Sequence, residues 1–453
     1  MTVDDPVQMA ANSAVEADDF GLVRAIRKWD LVAIVLNGII GAGIFGLPSR
    51  IYALTGAASI LAVLCCAAVV GLIVICFAEV SSRYNQSGGP YLYAQQAFGP
   101  VIGFEVGWML WLARLTAFAA NCNLLVLYLT FFWSGAAGAA PRALIITGVV
   151  LSLTMVNLVG VRRATSVANA FTIAKVVPLL LLVGVGLFFI TLRNFQPLAV
   201  PGYKPFSTSV LLLIYAFTGF ETAVIPVGEV KNPRRDLPLA LLVAVAVVAV
   251  LYVLIQVVCI GTLPGLADST RPLADAAMGF MGSVGAGIVT AGAAISIIGN
   301  LSIIVLAAPR IPFAMAELGQ LPRVLAAVHS RYKTPHISIL LSGAIMLVLS
   351  LSGSFLQALT ISTLARLFSY MAACAALPVL RRKVGAPAAL FKAPGGAAIS
   401  CLAVLVSVWL VSTVSWDEGR NTVAAAALGM LLYMALRYWN RGTPQKVDLS
   451  IPD

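Results

Sequence analysis

The stretch 37–48, NGIIGAGIFGLP, contains the residue types that could bind a ligand through bare backbone groups. It lies within an apolar run, yet it contains four glycines and ends at Pro48. Glycine lowers helix stability by about 1 kcal/mol relative to alanine. Irregular backbone at membrane depth is tolerated only where protein or a water-filled cavity surrounds it. We therefore predict an interrupted helix whose freed N–H and C=O groups bind a ligand; the alternative is close helix packing through small residues.

A second interruption is predicted in the apolar segment 214–238, IYAFTGFETAVIPVGEVKNPRRDLP. Thr218, Gly219 and Phe220 stand in its middle, and an acid, Glu221, follows them directly. If the chain consists of two five-span halves, the two breaks occupy corresponding positions in the first and sixth spans. Such a pair of interrupted spans indicates a binding site near the bilayer midplane in inverted-repeat transporters.

The polarity of two antiparallel broken helices predicts the class of ligand. A half-helix that begins after a break directs N–H groups and a positive dipole end towards the cavity, which suits a carboxylate. A half-helix that ends at a break directs carbonyls inward, which suits an ammonium. The ligand that needs both is a zwitterion, an amino acid. The N–H groups predicted to bind its carboxylate are those of Gly41, Ala42 and Gly43. The carbonyls predicted to accept from its amine lie near Ile39, Tyr215 and Thr218.

Four charged side chains lie well inside apolar spans, where such residues are functional candidates. They are Arg114, Lys175, Glu221 and Arg366. For Lys175 three interpretations stay open. Its amine could exchange a proton and couple transport to protons, it could be a fixed ammonium that replaces a structural cation between helices, or it could snorkel to the membrane surface.

The other three charges have predicted neighbours. Glu221 could line a gate, pair with a basic residue or cap N–H groups freed by the break. Arg114 forms an i, i+4, i+7 stripe with Phe118 and Asn121, which is our candidate for a third wall of the site. Arg114 could equally belong to an ion pair inside the helix bundle. For Arg366 we expect contacts with helix carbonyls rather than with substrate.

The composition requires that membrane-spanning helices position these residues. Of 453 residues, 60% are hydrophobic and 10% are charged, against about 25% charged in soluble domains. A bilayer span needs roughly 20 mostly apolar residues. Twelve stretches meet that description: 31–52, 57–80, 101–133, 143–160, 166–191, 208–227, 239–262, 284–308, 336–353, 356–380, 396–414 and 422–439. This pattern predicts an all-α polytopic protein in the lipid bilayer with 12 transmembrane helices.

The basic residues between the spans predict the orientation. Most of them fall on the side of the N-terminus, which places both termini in the cytoplasm and the protein in the cytoplasmic (inner) membrane. The net charge of +11 therefore reflects topology rather than binding to nucleic acid. The predicted divisions are an N-terminal tail, two five-helix repeats, helices 11 and 12, and a C-terminal tail, at 1–29, 30–191, 208–380, 396–440 and 441–453.

Other chemistry has no support in the sequence. No GxxxxGK[ST] phosphate-binding loop is present, which argues against an ATPase engine in this chain. The seven cysteines fall in or beside apolar spans without metal-ligand spacing. We therefore predict no metal, no cofactor and no enzymatic activity. Two segments between spans, 87–100 and 310–322, are predicted to form short helices, the first at the membrane surface where it could gate the inner mouth.

Three motifs give the chain a family resemblance over roughly 22–440. They are GIIGAGIFGLP at 38–48, SGGPYLYAQQAFG at 87–99, and YAFTGFE at 215–221 followed by EVKNPRRDLP at 229–238. With these motifs the chain resembles the amino acid–polyamine–organocation (APC) superfamily of amino acid permeases.

The resemblance implies a LeuT-type fold, a 5+5 inverted repeat plus two C-terminal helices, that works by alternating access. It implies that 41–43 and 218–221 form the amino acid site and that Tyr215 is an aromatic gate. It also implies that Lys175 stands in for the second sodium ion of sodium-coupled relatives and couples protons. Ala42 replaces a serine found in some members, so backbone N–H groups should contribute more to carboxylate binding.

The leading functional hypothesis is a secondary amino acid transporter that works by proton symport or substrate exchange. The predicted pocket walls are mostly apolar, which favours a neutral amino acid. These walls are Ile39, Ile40, Phe118, Asn121, Tyr215, Phe220 and Ile304. The alternatives are a cationic amino acid or polyamine exchanger, in which Glu221 would bind a second ammonium, and a non-transporting amino acid sensor.

Overall fold

The computed structural model of this chain describes residues 27–84, 89–159, 164–196, 200–224 and 230–439. Within these ranges the secondary structure is helical, without β-strands. The predicted tails, apart from 27–29, lie outside the described residues, as does Pro226 in the second interrupted span.

The described helices follow the predicted spans closely, and two spans are divided. In chain order the α-helices are α1 Lys28–Ile39, α2 Ala42–Gly46, α3 Pro48–Thr55, α4 Ser59–Ser81, α5 Gly89–Phe98, α6 Pro100–Leu129, α7 Ala139–Val159, α8 Ala164–Gly186, α9 Tyr203–Phe217, α10 Pro233–Thr262, α11 Pro272–Ala307, α12 Arg310–Glu317, α13 His336–Ser352, α14 Phe355–Arg382, α15 Ala397–Ser412 and α16 Trp416–Trp439.

Several of these helices can cross a bilayer. Seven stretches of the described residues are long and apolar enough: Lys28–Gly46, Pro48–Ser81, Pro100–Leu129, Ala139–Val159, Pro233–Thr262, Pro272–Glu317 and Phe355–Arg382. Two shorter apolar helices cover Ala174–Phe189 and His336–Ser352, and the chain bends by 119° between α15 and α16. The protein is therefore a polytopic all-α membrane protein. The count of twelve spans and the inverted repeat stay predictions.

The first predicted interruption is present. Helix α1 ends at Ile39, and Ile40 and Gly41 are extended, with ψ angles of 92° and −153°. Helix α2 then begins at Ala42, and its path continues through Leu47 into α3, because the Leu47 N–H donates to the Gly43 carbonyl at 3.0 Å. Pro48 therefore does not end the helical path. Pro48 is the first residue of α3, a position that tolerates the absence of the N–H group that proline lacks.

The second predicted interruption is present as well. Helix α9 ends at Phe217, and Thr218 is extended with a ψ of 161°. Gly219 then has a φ of +110°, a conformation that side-chain-bearing residues rarely adopt. A 3₁₀ turn, Phe220–Val224, follows it. This break therefore depends on glycine for its backbone conformation.

The two interrupted helices lie inside the bundle. Helix α6 is almost entirely buried and packs against α5, α11, α13 and α14. Helix α1 packs against α8, α10 and the 3₁₀ turn after α9, and α2 packs against α6, α9 and α11. Helices α15 and α16 carry exposed leucines, such as Leu405 and Leu428, as expected for a surface in contact with lipid. The breaks thus lie where other helices surround them.

Both predicted short helices are present. Helix α5 is more than a surface helix, because Tyr93 is 2% exposed, stacks on Tyr84 and meets the edge of Phe77. The Tyr91 hydroxyl donates to Oε1 of Gln320 at 3.0 Å, just beyond α12. Burial raises the pKa of Tyr91 to about 12, so this hydroxyl keeps its donor proton at neutral pH. The first short helix is therefore attached to the bundle.

Candidate substrate site

A cavity lies where the two interrupted helices meet α6, α11 and α14. Its lining consists of Gly38, Ile39, Gly41, Ala42, Gly43, Arg114, Ala117, Asn121, Tyr215, Thr218, Gly219, Thr222, Asn300, Ile303, Ile304 and Arg366. The cavity volume is about 30 Å³. That is the room of one or two water molecules, and far less than an amino acid needs. The walls are therefore closed on one another and must separate to admit a ligand of that size.

The two interrupted helices touch through their glycines. A Cβ atom on Gly38 would lie 2.6 Å from the carbonyl oxygen of Gly219, and one on Gly219 would lie 2.1 Å from that of Gly38. A Cβ atom on Gly43 would lie 2.5 Å from the Cα of Ala216. Backbones approach this closely only through small residues. Helix packing, the alternative left open by the sequence, therefore accounts for these glycines, although all three also line the cavity.

The start of α2 presents its amide end to the cavity. The first N–H groups of a helix have no acceptor within it, and the positive end of the dipole lies there. Gly41, Ala42 and Gly43 all line the cavity at this end. A Cβ atom on Gly41 would lie 2.1 Å from Nδ2 of Asn300 on α11, so the absence of a side chain leaves this space to the amide of Asn300. Such a group of donors suits a carboxylate.

Two of the three carbonyls predicted for the amine, those of Tyr215 and Ile39, already accept hydrogen bonds from the protein. The Tyr215 carbonyl accepts from both the N–H and the Oγ1 of Thr218, at 3.2 and 2.8 Å, which fills its two lone pairs. The Ile39 carbonyl accepts from the Tyr252 hydroxyl at 3.3 Å. By contrast, Oδ1 of Asn121 accepts from no described residue. A ligand amine would therefore find an acceptor on the side chain of Asn121.

The α6 wall is shifted by one residue from the predicted stripe. Arg114 and Asn121 line the cavity as expected, but the residue between them is Ala117 rather than Phe118. Phe118 is fully buried away from the lining. Spacings of three and four residues both fit a helix with 3.6 residues per turn, so the sequence pattern could not separate them. Nδ2 of Asn121 donates to the Tyr215 hydroxyl at 2.9 Å, which joins α6 to α9.

Two other predicted walls do not line the cavity. Phe220 packs against Phe77 and Tyr370, with ring centroids 5.2 and 5.1 Å apart. Ile40 is buried, and its carbonyl accepts from Lys175. Helix α11 also contributes to the lining, and the predicted Ile304 lies there.

Glu221 is buried and makes three contacts around the second break. Its Oε1 forms an ion pair with Arg366, and its Oε2 accepts from the Tyr370 hydroxyl and from the Gly219 N–H, both at 2.8 Å. Of the roles considered for Glu221, pairing and capping match these contacts. The prediction for Arg366 was wrong in its partner, which is this carboxylate rather than a helix carbonyl. Arg366 also lines the cavity.

Lys175 lies at the end of α1. Its Nζ donates to the carbonyls of Asn37 and Ile40, each at 2.9 Å, and the residue is 0% exposed. The snorkelling interpretation is therefore wrong. The ammonium group instead sits at the negative end of the α1 dipole, where a cation is stabilised. Lys175 does not line the cavity, so any influence on a ligand passes through the backbone of α1.

Several lining residues were not among the predictions for the site: Gly38, Ala117, Thr222, Asn300, Ile303 and Arg366. Asn300 could have been found, because an amide in the middle of an apolar span is costly unless it has a polar role. Ala117 and Ile303 carry no such signal, since small and aliphatic residues are common throughout the spans.

Comparison with known proteins gives a family match. A model of the family described as amino acid permease matches residues 26–436. A methylthioribose transporter of Bacillus subtilis is 28% identical over 91% of this chain and 93% of its own length. A branched-chain amino acid permease of the same species is 25% identical over 93% of this chain and 94% of its own. An uncharacterized transporter of Mycobacterium bovis is 29% identical over 90% of this chain and 91% of its own.

Proposed function

The chain belongs to the amino acid permease family, and we propose that it carries an amino acid across the cytoplasmic membrane as a secondary transporter. The observation that supports this most is the cavity between the two interrupted helices. Gly41, Ala42 and Gly43, at the start of α2, line it, and so does Asn121, whose Oδ1 accepts from no described residue. A zwitterion would bind with its carboxylate at the amides and its ammonium near Asn121.

Alternating access is the mechanism that fits a cavity as small as this one. A volume of about 30 Å³ cannot contain an amino acid, so the helices must move apart before substrate enters. The element that we expect to move is the first interrupted helix, because its break is held by one side chain, that of Lys175, rather than by continuous helix. With both termini in the cytoplasm, as the basic residues predict, α5 would lie at the inner mouth.

Proton coupling through Lys175 is part of the proposal. The ammonium of Lys175 donates to two carbonyls at the end of α1. Loss of its proton would remove the positive charge from that end and weaken the attachment of α8 to α1. Proton binding and the position of α1 would then be linked, which is the requirement for symport. Substrate exchange is the alternative, and it needs no such step.

The charges around the cavity restrict which side chain the substrate can carry. Arg114 and Arg366 line it, and Glu221, the acid nearest to it, is already paired with Arg366. A second ammonium on the substrate would meet guanidinium groups and no free carboxylate. The cationic amino acid or polyamine alternative is therefore disfavoured, and a substrate without a positively charged side chain is favoured.

Uptake into proteoliposomes tests the proposal. The panel would contain labelled neutral, acidic and basic amino acids, together with methylthioribose, because one relative is named for that compound. We expect saturable uptake of at least one amino acid. Uptake driven by an imposed inward proton gradient supports symport, and flux that needs substrate on the far side supports exchange. If purified protein binds an amino acid but never moves it, the chain is a sensor; if only methylthioribose moves, the amino acid proposal is wrong.

A further inference from the structure

The cavity contains more positive charge than the protein neutralises. Two guanidinium groups, on Arg114 and Arg366, line it. One carboxylate, on Glu221, lies beside it, and all three residues are buried. Charges within a membrane protein are costly unless they are paired. One positive charge is therefore left for a ligand to balance.

Arg366 and Glu221 form an ion pair, so the surplus charge belongs to Arg114. Both oxygens of Glu221 already have donors, namely Arg366 on Oε1 and Tyr370 with the Gly219 N–H on Oε2. Arg114 is not among these donors, and the single negative charge of Glu221 can balance only one of the two guanidinium groups. Among the described residues, no acid lies within ion-pair distance of Arg114.

The Arg114 side chain is buried without a hydrogen-bond acceptor among the described residues. The residue is 4% exposed, and its Nε is completely shielded. A guanidinium group offers five N–H donors in a planar fork, which matches a carboxylate in shape as well as in charge. In the cavity lining, Arg114 lies on α6 two turns from Asn121. Its unused donors therefore face the same small space as the amides of α2.

We propose that the substrate is an amino acid with an acidic side chain, whose second carboxylate binds Arg114. This inference rests on the proposed function, in which the α-carboxylate binds the amides at the start of α2. The α-amino group and α-carboxylate of a zwitterion cancel, so a neutral amino acid leaves the charge of Arg114 unbalanced. An acidic amino acid brings one further negative charge and balances it.

This substrate differs from the neutral amino acid that the sequence favoured. That prediction counted apolar pocket walls, among them Phe118 and Phe220, which do not line the cavity. Arg366, which does line it, was not among those walls. Without these two aromatic side chains the lining is less apolar than predicted, and we expect the guanidinium of Arg114, which has no acidic partner among the described residues, to set the preferred side chain of the substrate.

Competition binding to the purified full-length protein tests the inference with isosteric pairs. Glutamate and glutamine, and aspartate and asparagine, differ in one charge and hardly in shape. We expect the acid of at least one pair to bind ~10-fold or more tightly than its amide, because charge-assisted bidentate hydrogen bonds are much stronger than neutral ones. If the amides or leucine bind as well as the acids, the inference is wrong while the proposed function stands. If no amino acid binds, both fail.

Two further compounds test the contacts of the α-carboxylate and of the side-chain carboxylate separately. 2-Aminobutyrate keeps the α-amino acid group and lacks the side-chain acid, whereas 4-aminobutyrate keeps an acid at the chain end and lacks the α-carboxylate. We expect both to bind more weakly than glutamate. If 2-aminobutyrate equals glutamate, Arg114 binds the α-carboxylate and the inference is overturned.

Substitutions at Arg114 complete the test. Arg114→Gln should remove the preference for acid over amide, and Arg114→Lys should retain part of it because the charge remains. Arg420→Gln is the matched control, since Arg420 is exposed, pairs with Asp417 and does not line the cavity. It should leave all affinities unchanged. The thermal transition shows whether Arg114→Gln is folded. If the folded variant still prefers acids, the inference is wrong. If the variant is unfolded, the comparison of isosteric pairs on the unmodified protein tests the inference instead.

Discussion

The two helix breaks are capped by side chains of opposite charge. At the first break, carbonyls at the end of α1 accept from a cation on another helix, Lys175 of α8. At the second break, the freed N–H of Gly219 donates to an acid of the same segment, Glu221, which Arg366 and Tyr370 of α14 hold in turn. The first cap has two hydrogen bonds from one group, whereas the second belongs to a network of four groups.

We infer from this difference that the two breaks have different roles in transport. The cap of α1 consists of one amine with a removable proton, so a change in protonation can alter it. The cap of the second break is a buried ion pair with both carboxylate oxygens occupied, which resists change because separating it would leave charges unpaired. We therefore expect the second break to be the fixed side of the site and the first to be the side that moves.

The largest effect is expected at Gly219. Gly219→Ala places a Cβ atom at a φ of +110° and 2.1 Å from the Gly38 carbonyl oxygen, so the two interrupted helices cannot keep their contact. We expect loss of the folded protein, measured as the monodisperse fraction in detergent. Gly71→Ala on α4 is the control, because a Cβ atom there meets nothing within 4 Å. Equal yields of the two variants would contradict the importance of this contact.

The next largest effect is expected at the Glu221–Arg366 pair. Glu221→Gln leaves the Arg366 charge buried without its partner, which should lower the free energy of unfolding by about 3–5 kcal/mol. The exposed pair of Arg420 and Asp417 gives the contrast, since Asp417→Asn should cost about 0–1 kcal/mol. Unfolding transitions in detergent measure both. A small loss for Glu221→Gln would mean that the second break is not the fixed side.

A smaller effect on stability and a larger one on coupling are expected at Lys175. Lys175→Met removes one charged donor from two carbonyls, a loss of about 1.5–3 kcal/mol. Gradient-driven uptake should be abolished, while binding of substrate in detergent should persist because Lys175 does not line the cavity. Uptake that still follows the imposed proton gradient in this variant would remove Lys175 from the coupling mechanism.

The smallest effect is expected at Tyr252. Its hydroxyl links the two interrupted helices by contacts with the carbonyls of Ala216 and Ile39, at 3.0 and 3.3 Å. Tyr252→Phe keeps the ring and removes these contacts, at about 0.5–1.5 kcal/mol. The unfolding transition measures this loss. A loss as large as that of Glu221→Gln would show that this link, rather than the ion pair, dominates the junction.

The sequence predicted where the helices break, because glycines weaken a helix inside an apolar span. It left the roles of Lys175 and Glu221 at the breaks open among several alternatives, and it did not predict Arg366 as the partner of Glu221. Arg366 is 145 positions from Glu221 along the chain, and only the fold brings them together. Phe118 and Ala117 show a second limit, since a periodic pattern identifies a face of a helix but not which neighbouring residue reaches the cavity. Asn300 shows a third, because its role follows from its position opposite Gly41.

Substrate affinity in a Gly41 variant tests the central claim, that the two breaks together form the amino acid site. Gly41→Val would fill the space beside Asn300 and the first amides of α2, and Gly71→Val, at a glycine with open space around it, is the matched control. With both variants folded by their thermal transitions, we expect at least ~10-fold weaker binding of the preferred amino acid for Gly41→Val alone, because a well-fitted polar contact is worth about one order of magnitude or more. Unchanged affinity in Gly41→Val would place the site elsewhere and contradict the central claim.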